Sequence, residues 1–185
     1  MVEYLQLALQ RAGYDPGRID GLFGRRSQTA LTRFQRANAL AADGVAGRLT
    51  WARLFPYLTG YTVHVVRAGD TMYALAERYG TDVAAIRTAN PLVQPENLAI
   101  GSQLVVPLAF PVVSFEVRYT YALVSLVLDG LLARYPFLTA ETIGSSVLGR
   151  ELTAVRIGAG SVEVCYNAAH HANEWITTPV LLRSL

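Results

Sequence analysis

The densest group of chemically capable side chains is His170-His171-Ala172-Asn173-Glu174-Trp175, near the C-terminal end of a 185-residue sequence. His171 and Glu174 stand three apart, so one turn of backbone at a helix entry can aim an imidazole and a carboxylate at a common point. That is the geometry of two ligands on a divalent zinc. H-x-x-E alone is equally compatible with a structural hydrogen bond. His170 precedes the pair and points elsewhere, which makes it a supporting or structural residue, and Asn173 sits where it can meet metal-site neighbours or substrate. The third histidine, His64, lies in a β-rich run with no acidic partner nearby in sequence, so a packed or surface imidazole is expected there. The single cysteine, Cys165, excludes an internal disulfide and is expected in a strand core. No Ser/His/Asp or Cys/His arrangement offers metal-free nucleophilic chemistry.

Several elements have to position this motif. Val162–Ala168 is rich in branched and apolar residues and suits a strand buried on both faces, and Ile176 to Leu182 starts a helix directly after the motif. Upstream, Tyr121, Val124, Leu128, Leu131 and Leu132 predict a helix over Val117 to Tyr135, stopped by Pro136. Strands are expected at Thr142–Val147 and Leu152–Ile157 around a turn at Leu148-Gly149-Arg150.

The N-terminal third contains an internal repeat. Asp20-Gly21-Leu22-Phe23-Gly24-Arg25-Arg26-Ser27 recurs as Asp43-Gly44-Val45-Ala46-Gly47-Arg48-Leu49-Thr50, and each copy opens a helix. The hydroxyl residue ending each copy can satisfy free N–H groups at the helix start. Apolar spacing predicts helices at Val2–Ala12, Ser27–Asn38 and Leu49–Tyr57. From Tyr61 the period changes to a strand. A helix capped by Asp70 or Thr71 then runs to Tyr79, a second follows from Thr81-Asp82 to Asn90, and a strand ends at Val105-Val106-Pro107, giving the order βααβ.

These patterns carry three resemblances. Leu5, Gln6, Leu9, Gly13, Tyr14, Ile19 to Gly21, Phe23, Gly24, Thr29 to Leu31, Phe34, Gln35, Asp43, Gly44, Gly47, Thr50, Trp51 and Leu54 make residues 1–58 similar to an all-α, three-helix peptidoglycan-binding domain. Gly69-Asp70-Thr71, Ala76, Tyr79-Gly80, Ile86, Ala89-Asn90-Pro91, Leu98, Ile100-Gly101 and Val105-Val106-Pro107 make residues 61–108 resemble an α+β LysM domain. That likeness implies binding of N-acetylglucosamine-containing glycan between Gly69, Asp70, Thr71, Met72 and Asn90, Pro91, Leu92, Val93, where exposed amides beside small apolar surfaces suit acetamido groups. Tyr135-Pro136, Ile143-Gly144, Ser146-Val147, Gly149-Arg150, Leu152, Ile157-Gly158 and His171-Ala172-x-Glu174-Trp175-Ile176 make residues 115–185 similar to the opening of an α/β zinc carboxypeptidase domain.

The third resemblance implies that His171 and Glu174 are zinc ligands and that bound metal activates water on a peptide bond. Asn173 stands where such carboxypeptidases usually carry an arginine, which argues against simple recognition of a free C-terminal carboxylate. The run H-A-N-E-W-I-T-T-P, with wall-binding modules attached, resembles the γ-D-glutamyl-L-diamino acid endopeptidases that cut peptidoglycan stems. The third ligand, glutamate base and oxyanion-binding arginine of that family are expected downstream of Leu185, so the sequence predicts a truncated third domain inactive by itself. The alternative expectation is a non-catalytic peptidoglycan-binding protein.

Composition fits this organisation. The sequence is 52% hydrophobic and 16% charged, with net charge +2, and all sixteen basic residues are Arg. Residues 1–60 hold eight Arg against four acids, too small an excess to argue for nucleic acid. The longest uncharged run, Asn97 to Phe115, contains Gly101, Gln103, Pro107 and Pro111 and predicts no membrane span. The expected partners are peptidoglycan, its glycan and muropeptides, bound by a monomer. A cell-wall or extracellular location follows from that substrate class. No secretory signal is visible at Met1-Val2-Glu3-Tyr4, which leaves cytoplasmic or spore-associated locations open.

Overall fold

The computed structural model describes residues 1–169 and 174–185. Helices α1 (Val2–Arg11), α2 (Arg25–Ala37), α3 (Arg48–Leu54) and the short α4 (Pro56–Thr59) come first. Leu5, Leu9, Leu31, Phe34 and Leu54 point inward from them, and Tyr14 meets Phe34 edge-on with ring centroids 5.5 Å apart.

The two repeat loops are closed in the same way by a buried glutamine from the preceding helix. Gln6 Nε2 donates to Asp20 Oδ1, Leu22 O and Ser27 Oγ, while its Oε1 accepts from the Asp20 and Gly21 amides. Gln35 repeats this on Asp43 Oδ1, Val45 O, Thr50 Oγ1 and the Gly44 amide. Ser27 and Thr50 therefore do not cap their helices, contrary to expectation. Gly24 and Gly47 are the N-caps, and the hydroxyls are turned inward to meet the glutamines, where an unpaired amide would be costly.

Strands β1 (Tyr61–Val65) and β2 (Gln103–Pro107) pair antiparallel, with Val63 opposite Val105. Between them lie α5 (Met72–Tyr79), capped by Thr71 Oγ1 on the Ala74 amide, and α6 (Val83–Ala89), capped by Asp82 on Ala85. Val66, Met72, Leu75, Ala76, Ile86, Leu104 and Val106 form a separate small core.

Helix α7 (Tyr121–Arg134) starts at Thr120, whose hydroxyl accepts from the Leu123 amide. Its residues Leu123, Val127, Leu128 and Leu131 join the core of the first four helices. An antiparallel hairpin follows, β3 (Thr139–Ser145) with β4 (Glu151–Arg156), and α8 (Thr177–Ser184) ends the chain. The expected third strand at Val162–Ala168 is not formed: Val162 is 82% exposed and Tyr166 75%. Every β3 residue is exposed and neither edge of the hairpin is paired further among the described residues, so this run has neither a ladder to join nor a face to cover. Cys165 is accordingly exposed rather than core. The described part of this segment is a helix, an antiparallel hairpin and a second helix, and not a parallel α/β layer.

Candidate functional site

The glycan-groove candidates cluster around the start of α5 and the end of α6. Gly69 adopts φ +84°, a conformation that favours glycine, and lets the chain turn sharply out of β1. Asp70 closes this turn: its Oδ2 accepts from the Arg67 amide at 2.7 Å, and its own amide donates to Arg67 O. The same oxygen lies 2.7 Å from His64 Nε2, and His64 Nδ1 lies 3.0 Å from the Tyr79 hydroxyl. His64 therefore has an acidic partner after all. Six residues of sequence separate them, but the strand and turn fold back so that the two meet, both side chains under a tenth exposed.

Hydrogen bonding from His64, then from the Arg67 amide, holds the Asp70 carboxyl below the ordinary aspartate range. With Nε2 donating to Asp70, the imidazole accepts at Nδ1 from the Tyr79 hydroxyl, which completes the relay.

Among the groove candidates, Gly69, Thr71, Pro91 and Leu92 face solvent, with Leu92 95% exposed. Met72 and Asn90 are buried. Met72 packs in the small core, and the Asn90 side chain donates to Ile86 O and Val105 O and accepts from the Val105 amide, which ties the end of α6 to β2. Val93 is half-buried and its amide donates to Asn90 O, shaping the turn that presents Leu92. Tyr73, 74% exposed in the first turn of α5, was not anticipated; its signal was an aromatic residue at the first exposed position of a capped helix.

Of the metal-site candidates, His170, His171 and Asn173 lie outside the described residues, and Glu174 within them. Thr177 links the described residues Ala169 and Glu174. The Ala169 amide donates to Thr177 Oγ1 at 2.7 Å, and that hydroxyl donates to Glu174 O at 2.7 Å. Ala169 takes φ +54°, uncommon for a residue with a side chain. Among the described residues no three His, Cys, Asp or Glu side chains converge on one point.

Comparison with known proteins matches residues 1–54 to the peptidoglycan binding domain family, 64–107 to the LysM domain family and 124–185 to the zinc carboxypeptidase family. Gamma-D-glutamyl-L-diamino acid endopeptidase 1 of Lysinibacillus sphaericus is 38% identical over 78 residues, 42% of this chain and 20% of that protein. The uncharacterized protein YqgT of Bacillus subtilis (strain 168) is 30% identical over 113 residues, 60% of this chain and 28% of YqgT. The zinc D-Ala-D-Ala carboxypeptidase of Streptomyces albus G is 46% identical over 55 residues, 27% of this chain and 21% of that enzyme. The matched stretches thus span between a fifth and three tenths of these relatives. The chain carries peptidoglycan-binding and LysM modules followed by a zinc carboxypeptidase-like segment, and no helix among the described residues is long and apolar enough to cross a membrane.

Proposed function

We propose that residues 1–58 and 61–108 hold this protein on peptidoglycan, and that residues 115–185 belong to a zinc peptidase unit acting on the peptide stems, with the γ-D-glutamyl-diamino acid bond as the preferred target. The carrying observation is the succession of two wall-binding modules and a zinc carboxypeptidase-like segment in one chain. The named bond rests on likeness to the Lysinibacillus enzyme. In this reading His171 and Glu174 are metal ligands, and His170 and Asn173 flank them on the metal or substrate side. Glycan lies against the solvent-facing turns at Gly69 to Thr71 and Pro91 to Leu92, with the exposed ring of Tyr73, close in sequence to the first turn, available for stacking.

Retention of the chain on purified sacculi, and saturable binding of N-acetylglucosamine oligomers, test the binding half. Leu92→Asp, at a side chain with no packing to lose, lowers oligomer binding without lowering thermal stability. Zinc uptake by equilibrium dialysis that disappears in His171→Ala, together with release of new amino termini from muropeptides by a zinc-loaded form that also carries the third ligand and glutamate base expected of the family, tests the catalytic half. Wall retention with no zinc uptake would leave only the binding function.

A second reading, in which residues 1–185 act solely as a wall-binding unit, is favoured by one observation. Helix α7 is packed into the core of the first module, so the start of the third segment serves the binding modules structurally.

A further inference from the structure

All three segments meet at one knot of backbone, and two arginines tie it. Arg134, in the last turn of α7, places Nη1 within hydrogen-bonding distance of Gly60 O, Leu108 O and Phe110 O. Those carbonyls belong to the two strands of chain that enter and leave the LysM module, and the Leu108 amide also donates to Gly60 O. Arg11, from α1, reaches the adjoining backbone and donates to Tyr57 O, Pro111 O and Val112 O, with its guanidinium 4.6 Å from the Phe110 ring centre. Burial lowers its pKa to about 10, which leaves it charged at neutral pH.

Close backbone approach makes the knot tight. A Cβ at Gly130 would sit 1.9 Å from Thr59 O, so only glycine lets α7 lie directly on α4. A Cβ at Gly60 would sit 2.7 Å from Val112 Cγ2. The other end of α7, about 21 Å away at 1.5 Å per residue, is fixed to α1 by the Tyr4 hydroxyl, 2.8 Å from Thr120 Oγ1. The knot sits at the Tyr61 and Pro107 ends of β1 and β2, whereas the turn at Gly69 leaves β1 from its far end. The LysM module is therefore held by the end opposite that turn.

We propose that α7 is a splint: Gly130 and Arg134 are positioning residues that lock the LysM module onto the peptidoglycan-binding module, so that the two bind the wall as one preorganised bivalent unit. Ligand contact is not needed from either residue. Fixing two sites at a spacing that matches their target raises avidity without any new contact, and loosening the joint lowers it while each site keeps its own affinity. The binding consequence rests on the function proposed above, but the lock itself does not.

The test uses the full chain in a Cys165→Ser background with nitroxides at exposed Arg33→Cys in α2 and Thr88→Cys in α6. The expected result is one narrow interspin distance distribution that broadens in Gly130→Leu and in Arg134→Met. Affinity for soluble N-acetylglucosamine oligomers stays within twofold, while retention on sacculi weakens about tenfold. Arg134→Met inserts no bulk into the packed helix and carries the test should Gly130→Leu fail to fold. A broad distribution in the parent, or a narrow one in folded Arg134→Met, overturns the splint. Loss of soluble-oligomer affinity in step with sacculus retention overturns its role in avidity. A parent that is narrow but binds neither ligand upholds the lock and removes the wall-binding function instead.

Discussion

Replacing Gln35 by Met measures how much the first module depends on one buried amide. Gln35 is 1% exposed and makes contacts of 3.0 Å to Asp43 Oδ1, 2.9 Å to Val45 O, 3.3 Å to Thr50 Oγ1 and 3.0 Å from the Gly44 amide. An NH2 group has two hydrogens, so these amount to two full donations and one acceptance. At about 1 kcal/mol net for each bond the loss is about 3 kcal/mol, because Met fills the volume but leaves the Val45 carbonyl and Gly44 amide without that partner. For a cooperative unit of this size that is about 6–12 °C in Tm. Gln10→Met, at an exposed position one helix away, changes stability by less than about 0.5 kcal/mol. Gln35→Glu sharpens the comparison. It keeps an acceptor for Gly44 but sets a carboxylate against Asp43, so it is the least stable variant at pH 7 and recovers as the pH falls. Urea unfolding followed by Trp51 fluorescence reads all three. A Gln35→Met loss no larger than that of Gln10→Met would refute the idea that the glutamines hold the repeat loops.

The remaining predictions concern the relay, the carboxylates and the thiol. His64→Leu leaves the Asp70 carboxylate without its first partner, so the amides of Arg67 to Thr71 exchange with deuterium at least tenfold faster and oligomer binding falls; His64→Gln, whose amide can still donate to Asp70, restores much of both. Asp20, Asp43 and Asp70 all have carboxyl pKa values below the ordinary range, the first two through the backbone amides of Leu22 and Val45 and then through Gln6 and Gln35. A depressed native pKa contributes stability that is fully present above the unfolded value of about 3.9 and is lost as pH falls through the native value. Tm therefore stays level in its dependence on these groups above about pH 5 and drops in acid, and Asp43→Asn flattens part of that drop. Cys165, being exposed, reacts with a thiol-specific reagent in native buffer at a rate within about threefold of that in denaturant; a protected thiol would restore the buried strand at Val162–Ala168.

Local signals gave the helices and caps of the first 108 residues to within a few positions. Helix spacing located α1 and α2, the pairs Asp70-Thr71 and Thr81-Asp82 marked the starts of α5 and α6, where Thr71 and Asp82 are the caps, and Pro136 marked the end of α7, because each of these is decided by residues within one or two turns of itself. What a residue bonds to across the fold was less visible. Ser27 and Thr50 look like caps until the glutamine fifteen or more residues upstream is brought against them. His64 looks partnerless until the Gly69 turn returns Asp70 to it. The apolar run at Val162–Ala168 failed for the opposite reason: β propensity describes how a residue fits a pleated, covered surface, and without a paired neighbour and a covering layer it fixes nothing.

The same distinction separates the two halves of the candidate chemistry. A glycan groove of solvent-facing turns can be built from short-range parts, a glycine at positive φ, an Asp-closed turn and an Asn tied to the adjacent strand, and all of these lie between residues 64 and 105. A zinc site requires side chains from distant elements to converge within about 2 Å of one point, so H-x-x-E supplies a local seed whose completion depends on where the rest of a sheet puts its loops. Arg134 and Gly130 stand between these cases. They lie in an apolar helix with no motif around them, and only the meeting of three segments gives them work: Arg134 gathers carbonyls from two crossings of the chain, and Gly130 lets α7 touch the carbonyl of Thr59 in α4. Substitutions there leave each module's own sequence intact, which is why they separate the geometry of wall attachment from the affinity of either binding surface.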